Sequence, residues 1–186
     1  MKRAIAVSFL LFLLCLPAVS GELKGVKMND TLTIDSHELV LNGMALRKKI
    51  IFKVYVAGLY LPQKEKNAGR IFRADAPRHV IMHFLRGVGA GKINDAWMEG
   101  LEANTPDASA VLKKQFERLC VLMEDMEDGE RIEFTYMPAT GTRVKVRGKE
   151  KGVIEGKPFA DALFACWIGP KPGPGEDFKN GLLGLE

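Results

Sequence analysis

Cysteine is scarce in this sequence, three among 186 residues, and tryptophan and histidine are as rare, at two and three. No disulfide or metal staple is required at this length, because a chain of roughly 150 residues already buries about two-thirds of its unfolded surface. A dominant charge is missing as well. The 27 Lys and Arg face 23 Asp and Glu, a balance of +4, too small an excess to argue for a nucleic-acid partner. Glycine (19) and proline (9) are too few and too unperiodic for collagen or low-complexity sequence, while 47% hydrophobic residues are too many for a disordered chain. With no internal repeat and no linker, the composition fits one compact domain.

The first twenty residues are set apart from the rest. Lys2 and Arg3 form a positive head, Ala4 to Leu16 is apolar except for Ser8, and Pro17 precedes the small residues Ala18 and Ser20. This layout predicts a secretory signal cut after Ser20, and so a periplasmic or secreted domain over 21–186. The apolar run falls short of the roughly 20 residues that span a bilayer, so no transmembrane segment is expected after cleavage. Leu13 and Leu14 stand where a lipoprotein signal ahead of Cys15 would want small residues. Cleavage removes two cations and no acid, leaving a balance of +2. The two remaining cysteines, Cys120 and Cys166, sit in apolar helical patterns. One disulfide between them would be allowed in an oxidising compartment, but such positions favour small core residues.

Hydrophobic period assigns strands to 31–34, 38–42 and 50–61, the last apolar on both alternate sets and so covered on both faces. A polar stretch over 63–77 separates these from a strand at 78–86. Ile93, Ala96, Trp97, Gly100 and Leu101 keep helical spacing, and Thr105-Pro106 reads as the cap and first-turn proline of a second helix ending near Glu124. Ile132, Phe134 and Tyr136 alternate into a hairpin turning at 138–141, and a turn at 148–152 leads to a strand through Ile154. Pro158 opens a helix closed by Gly169, and a last short helix covers 176–183. Strands grouped with strands and helices with helices predict an α+β fold, an antiparallel sheet with helices on one side.

Several constellations fail on spacing. His79 and His83 lie in a strand, where four residues span roughly 13 Å, too far for one metal. The acids from Glu124 to Glu130 lack the ligand alternation of a calcium loop. Ser36-His37 has no companion acid, and Arg143, Lys145 and Arg147 read as the wet face of a hairpin. No motif calls for a metal or cofactor.

Two segments carry more. Gly43-Met44-Ala45-Leu46-Arg47 followed by Phe52-Lys53-Val54-Tyr55-Val56-Ala57-Gly58-Leu59-Tyr60-Leu61 resembles the chalcone isomerase-like family, whose members carry a glycine-rich turn, an arginine and a K-V-Y-x-x-G-x-Y strand. Pro158 to Gly184 is similar to the family's closing helix, I-G stop, proline-rich loop and K-x-x-L-L-G end. The resemblance implies an open-faced β-sandwich, a large antiparallel sheet covered by a layer of helices with a ligand cleft between. In the plant enzymes an arginine holds a phenolate as it closes onto an enone, helped by hydroxyl side chains and water. In the non-catalytic relatives the arginine and a strand tyrosine hold a fatty-acid carboxylate. Carried over, these imply Arg47 and Tyr55. The enzymes' tyrosine and asparagine fall at Gly87 and Asn94, and Cys166 stands where they have Thr or Ser. The implied ligand is a small apolar carboxylate, with a phenolic isomerase substrate or a cell-envelope interaction module as alternatives.

One expectation cuts against this site. Arg47 and Tyr55 lie eight residues apart with no Gly, Pro or Asn between Lys48 and Val54 to turn the chain, and eight residues of unbroken strand span roughly 26 Å. Unless the strand begins only near Ile50 and Arg47 folds back, the two cannot share one carboxylate, and Lys53, on the parity of Tyr55 and about 7 Å away, substitutes as the cation.

Overall fold

The computed structural model describes residues 19–185, so all but the last two residues of the expected signal, Met1–Ser20, lie outside it. In chain order come β1 (Val19–Leu23), β2 (Val26–Asn29), β3 (Thr31–Ile34), β4 (His37–Lys49), β5 (Phe52–Leu61), α1 (Ala68–Arg73), β6 (Arg78–Phe84), α2 (Ala90–Asn104), α3 (Ala110–Val121), β7 (Arg131–Met137), β8 (Gly141–Val146), β9 (Lys149–Ile154), α4 (Lys157–Ile168) and α5 (Glu176–Leu182). Strands β3 to β9 form one seven-stranded antiparallel sheet in sequence order, and β1 and β2 form a separate hairpin. This is the α+β arrangement that the element pattern predicts, in the open-faced form that the family resemblance implies.

Alternation sorts the sheet residues between two cores. Tyr55, Ala57, Leu59 and Leu61 of β5 join Val80, Met82, Phe84, Phe134 and Val144 beneath the helices, against Trp97, Phe116, Phe159, Leu163 and Trp167. Val56 and Tyr60, on the other parity, pack with Leu39 and Leu41 against Val26 and Met28 of the β1–β2 hairpin. The sheet is therefore covered on one face by helices and on part of the other by a two-stranded flap.

Local chemistry explains three departures from the sequence reading. Thr105 closes α2, its N–H donating to the Leu101 carbonyl, and the cap of α3 is Ser109, whose hydroxyl accepts from the Leu112 N–H. The 63–77 stretch holds a short helix, α1, capped by the Asn67 side chain. The turn between β8 and β9 is already made at Arg147 and Gly148, both at positive φ (52° and 75°), so β9 begins at Lys149.

The most consequential departure is between β4 and β5. Gly43 and Arg47 lie within a long strand that turns back at Ile50 and Ile51 with no glycine, proline or asparagine. Ile50 alone of the pair takes positive φ, 58°, the pattern of a II′ hairpin turn, whose first central residue is usually glycine. Two bulges, at Asn42 and at Val54, adjust the register.

Candidate functional site

The hairpin overturns the expected separation of Arg47 and Tyr55. The two are direct cross-strand partners in the β4–β5 ladder, so their Cβ atoms lie about 5 Å apart on the same face. The geometric reason for turning to Lys53 disappears with it: Lys53 pairs with Lys48 beyond the bulge and is exposed. The bulge also breaks the parity that Lys53 was expected to share with Tyr55.

Tyr55 faces the helical layer and is 8% exposed. Its ring contacts Phe84 and Phe178, with centroids 5.7 and 5.8 Å away. Its hydroxyl accepts a hydrogen bond from Trp167 Nε1 at 3.2 Å, which leaves the phenolic proton available to a ligand. Burial pushes the phenol up to about 12, against the opposing pull of the Trp167 hydrogen bond and the Arg47 charge. It is therefore a neutral donor at any ordinary pH. Arg47 is half-buried, and its Nη1 donates to the Gly173 carbonyl at 2.8 Å. Among the described residues it has no ion pair, so the rest of its guanidinium fork is uncommitted.

The two segments that carry the family resemblance meet over this pair. Gly43 of β4 and Gly181 of α5 approach so closely that a Cβ on Gly43 would stand 2.1 Å from the Gly181 carbonyl oxygen, and one on Gly181 would stand 2.7 Å from that of Met44. Only glycine at both lets α5 lie on the strand. Asn42 fixes the contact, donating to the carbonyls of Leu182 (2.8 Å) and Glu65 (3.1 Å) and accepting from the Glu65 N–H (2.7 Å). All the polar groups of this buried amide are thus used. With α5 seated, Phe178 caps Tyr55 and the proline-rich loop brings Gly173 to Arg47.

Asn94 is placed elsewhere in the layer, whereas Cys166 borders the pair: its carbonyl accepts from the Gly173 N–H at 3.0 Å and it stands close enough to Tyr55 to help raise the phenol. Asn94 lies on α2, and its Oδ1 is buried without a hydrogen-bond partner, as is Nε1 of Trp97 one turn on. Cys166 packs against α2 at Gly100, where a Cβ would stand 2.6 Å from its sulfur. Its thiol, pushed up to about 12 by burial, donates to the Ala162 carbonyl. Cys120 and Cys166 are both free. Gly87 is exposed in the loop before α2. Trp167, Phe178 and the Gly173 carbonyl complete the surroundings of the pair. They stood inside the second resembling segment but carried no polar pattern to single them out.

Two cavities among the described residues lie away from the Arg47–Tyr55 pair, and neither is lined by it. One of about 180 Å³ sits under the flap between Met28, Tyr60 and His83, and one of about 320 Å³ lies on the far side of α4, between Phe72, Leu112 and Ala162. His79 and His83 occupy the flap face of β6. His79 bonds Thr135 Oγ1 at 2.9 Å and His83 accepts from Arg131 Nε at 3.1 Å.

Comparison with known proteins agrees with the fold. A family model described as chalcone isomerase-like matches residues 20–184. Among solved structures, a crystal structure of a fatty-acid binding protein from Arabidopsis thaliana superposes with a TM-score of 0.71 at 16% identity, covering 90% of this chain and 96% of that one. No curated protein matches the chain by sequence.

Proposed function

The chain belongs to the chalcone isomerase-like family, and on that premise we propose that it is an exported, non-catalytic member that binds a fatty acid or similar apolar carboxylate between sheet and helices. The observation that carries this is the direct pairing of Arg47 with Tyr55. A carboxylate is satisfied by a guanidinium fork together with a neutral hydroxyl donor, and these two side chains supply both from adjacent strands. The apolar Phe84, Phe178 and Trp167 around them suit an acyl chain. Each buried CH₂ adds roughly 0.8 kcal/mol, so a dozen give on the order of 9 kcal/mol before ordering costs. The fold neighbour's own description as a fatty-acid binding protein is in keeping with this reading.

The residues weigh against the isomerase alternative. Gly87 supplies no hydroxyl at the enzymes' tyrosine position, and Cys166 offers a thiol that is neutral and turned to Gly100 and Ala162. Native mass spectrometry of protein purified from the envelope of its own cell tests the proposal. An acyl acid should co-purify with the wild type, be lost in Arg47→Ala and be reduced in Tyr55→Phe. An empty wild-type protein that turns over a chalcone would instead establish the enzyme reading.

A further inference from the structure

The hairpin that joins Arg47 to Tyr55 ends in an uncovered apolar tip. Ile50 is 89% exposed, Ile51 82% and Phe52 51%. These are three consecutive large apolar side chains at a turn that polar residues or glycine would make at lower cost. Ile50 also holds a positive φ that β-branched residues avoid. Exposure and backbone strain coincide here with nothing inside the fold to offset them, as at sites kept for binding.

The surroundings are cationic. Lys48, Lys49 and Lys53 flank the tip, all exposed, and the Arg86 guanidinium lies 4.5 Å from the centre of the Phe52 ring. None of the four makes an ion pair among the described residues, and no acid occurs between Glu38 and Glu65. Beyond Arg86, Glu127 lies beside Gly87 and Asp125 beside Gly89, both from the loop before β7.

We propose that this tip docks on an anionic lipid bilayer, with Ile50, Ile51 and Phe52 entering the apolar layer and Lys48, Lys49, Lys53 and Arg86 at headgroup level. A three-residue tip is far smaller than the interface of about 1,000 Å² that a stable protein partner needs. An apolar point ringed by cations on long aliphatic stems matches an interface that is apolar within and anionic at its surface. Among the described residues no helix is long and apolar enough to cross a membrane; the docking proposed is peripheral. Docking of this kind sets Arg47 and Tyr55, two register positions in from Lys49 and Phe52, beside the lipid. The inference goes beyond the acyl-ligand reading and does not require it, since docking needs no bound ligand.

Flotation of the purified protein with vesicles of phosphatidylglycerol and phosphatidylcholine, and with phosphatidylcholine alone, tests it. The protein should float with the anionic vesicles, less with the neutral ones, and be released by salt. Replacing both isoleucines (I50D/I51D) should lower partitioning at least about a hundredfold. Lys53→Gln should lower it about fivefold on anionic vesicles only. Ile51→Trp, which keeps the tip apolar, should show blue-shifted emission on vesicle addition, so the outcome does not depend on the aspartate variant folding. Failure of the wild type to float with either vesicle overturns the proposal, as does undiminished flotation of a folded I50D/I51D. Self-association in solution, abolished by that variant while vesicles are ignored, assigns the tip to a second copy and overturns it equally.

Discussion

Arg78 and Arg47 both project from the sheet face that the helices cover, and the fold handles their charges differently. Arg78 is 1% exposed, donates from Nη2 to Asp161 Oδ1 at 2.7 Å, and lies against the rings of Tyr136 (4.8 Å) and Phe164 (5.1 Å). Lys157 holds the other oxygen of the same carboxylate. Arg47, half-buried, meets only a backbone carbonyl. A charge taken wholly out of water must be compensated by the fold itself. One that stays at the margin can wait for its counter-ion. Arg78 is thus paired within the structure, although its Nε and Nη1 are buried without a hydrogen-bond partner, whereas Arg47 has no counter-charge among the described residues.

The sharpest way to break this contrast is to remove each guanidinium. Arg78→Ala should cost about 2 to 5 kcal/mol in urea unfolding, since it empties a buried site stacked on Tyr136 and Phe164 and removes a partner of the part-buried Asp161, whereas Arg47→Ala should cost under about 1 kcal/mol. Equal losses would abolish the distinction. His79, the next residue after Arg78, shows what happens to a buried base with no carboxylate. Burial, aided by the charges of Lys145 and Arg143, pushes it down to about 4. The unfolded imidazole takes up a proton near 6.5, so stability is full above that pH and declines as pH falls toward 4, by on the order of 3 kcal/mol. His79→Gln should flatten that part of the pH–stability curve. The smallest effects belong to the ligand. Arg47→Ala should weaken fatty-acid binding by roughly ten- to a hundredfold in calorimetric titration and Tyr55→Phe by about fivefold, the ranking of a charged over a neutral hydrogen bond. Arg78→Lys should leave the affinity unchanged.

Period and turn chemistry made the seven-stranded sheet and the four longer elements of the helical layer legible, because Ile132, Phe134 and Tyr136, or Phe159, Leu163 and Trp167, repeat in step with their element. The pairing of Arg47 with Tyr55 was not legible. It depends on a turn at Ile50-Ile51, where side-chain propensity argues for continuing the strand, and the bulge at Val54 then shifts the register against simple alternation. A turn made against propensity is invisible to rules built on propensity, and such violations concentrate where function offsets them. Asn42 was missed for a different reason: its partners, Glu65 and Leu182, are near only in space.

That last contact has a kinetic consequence. Every strand of the large sheet pairs with its neighbour in sequence, so the sheet can be laid down through closures far shorter than 140 residues, the longest being the β6–β7 connection that carries α2 and α3. The Asn42–Leu182 bond instead closes 140 residues, and the entropy of such a closure grows with its length. Helix α5 is therefore expected to settle after the sheet exists and to detach before the sheet gives way. Because Phe178 on that helix is the cover over Tyr55, amide exchange through α5 would report how often the phenol is laid bare.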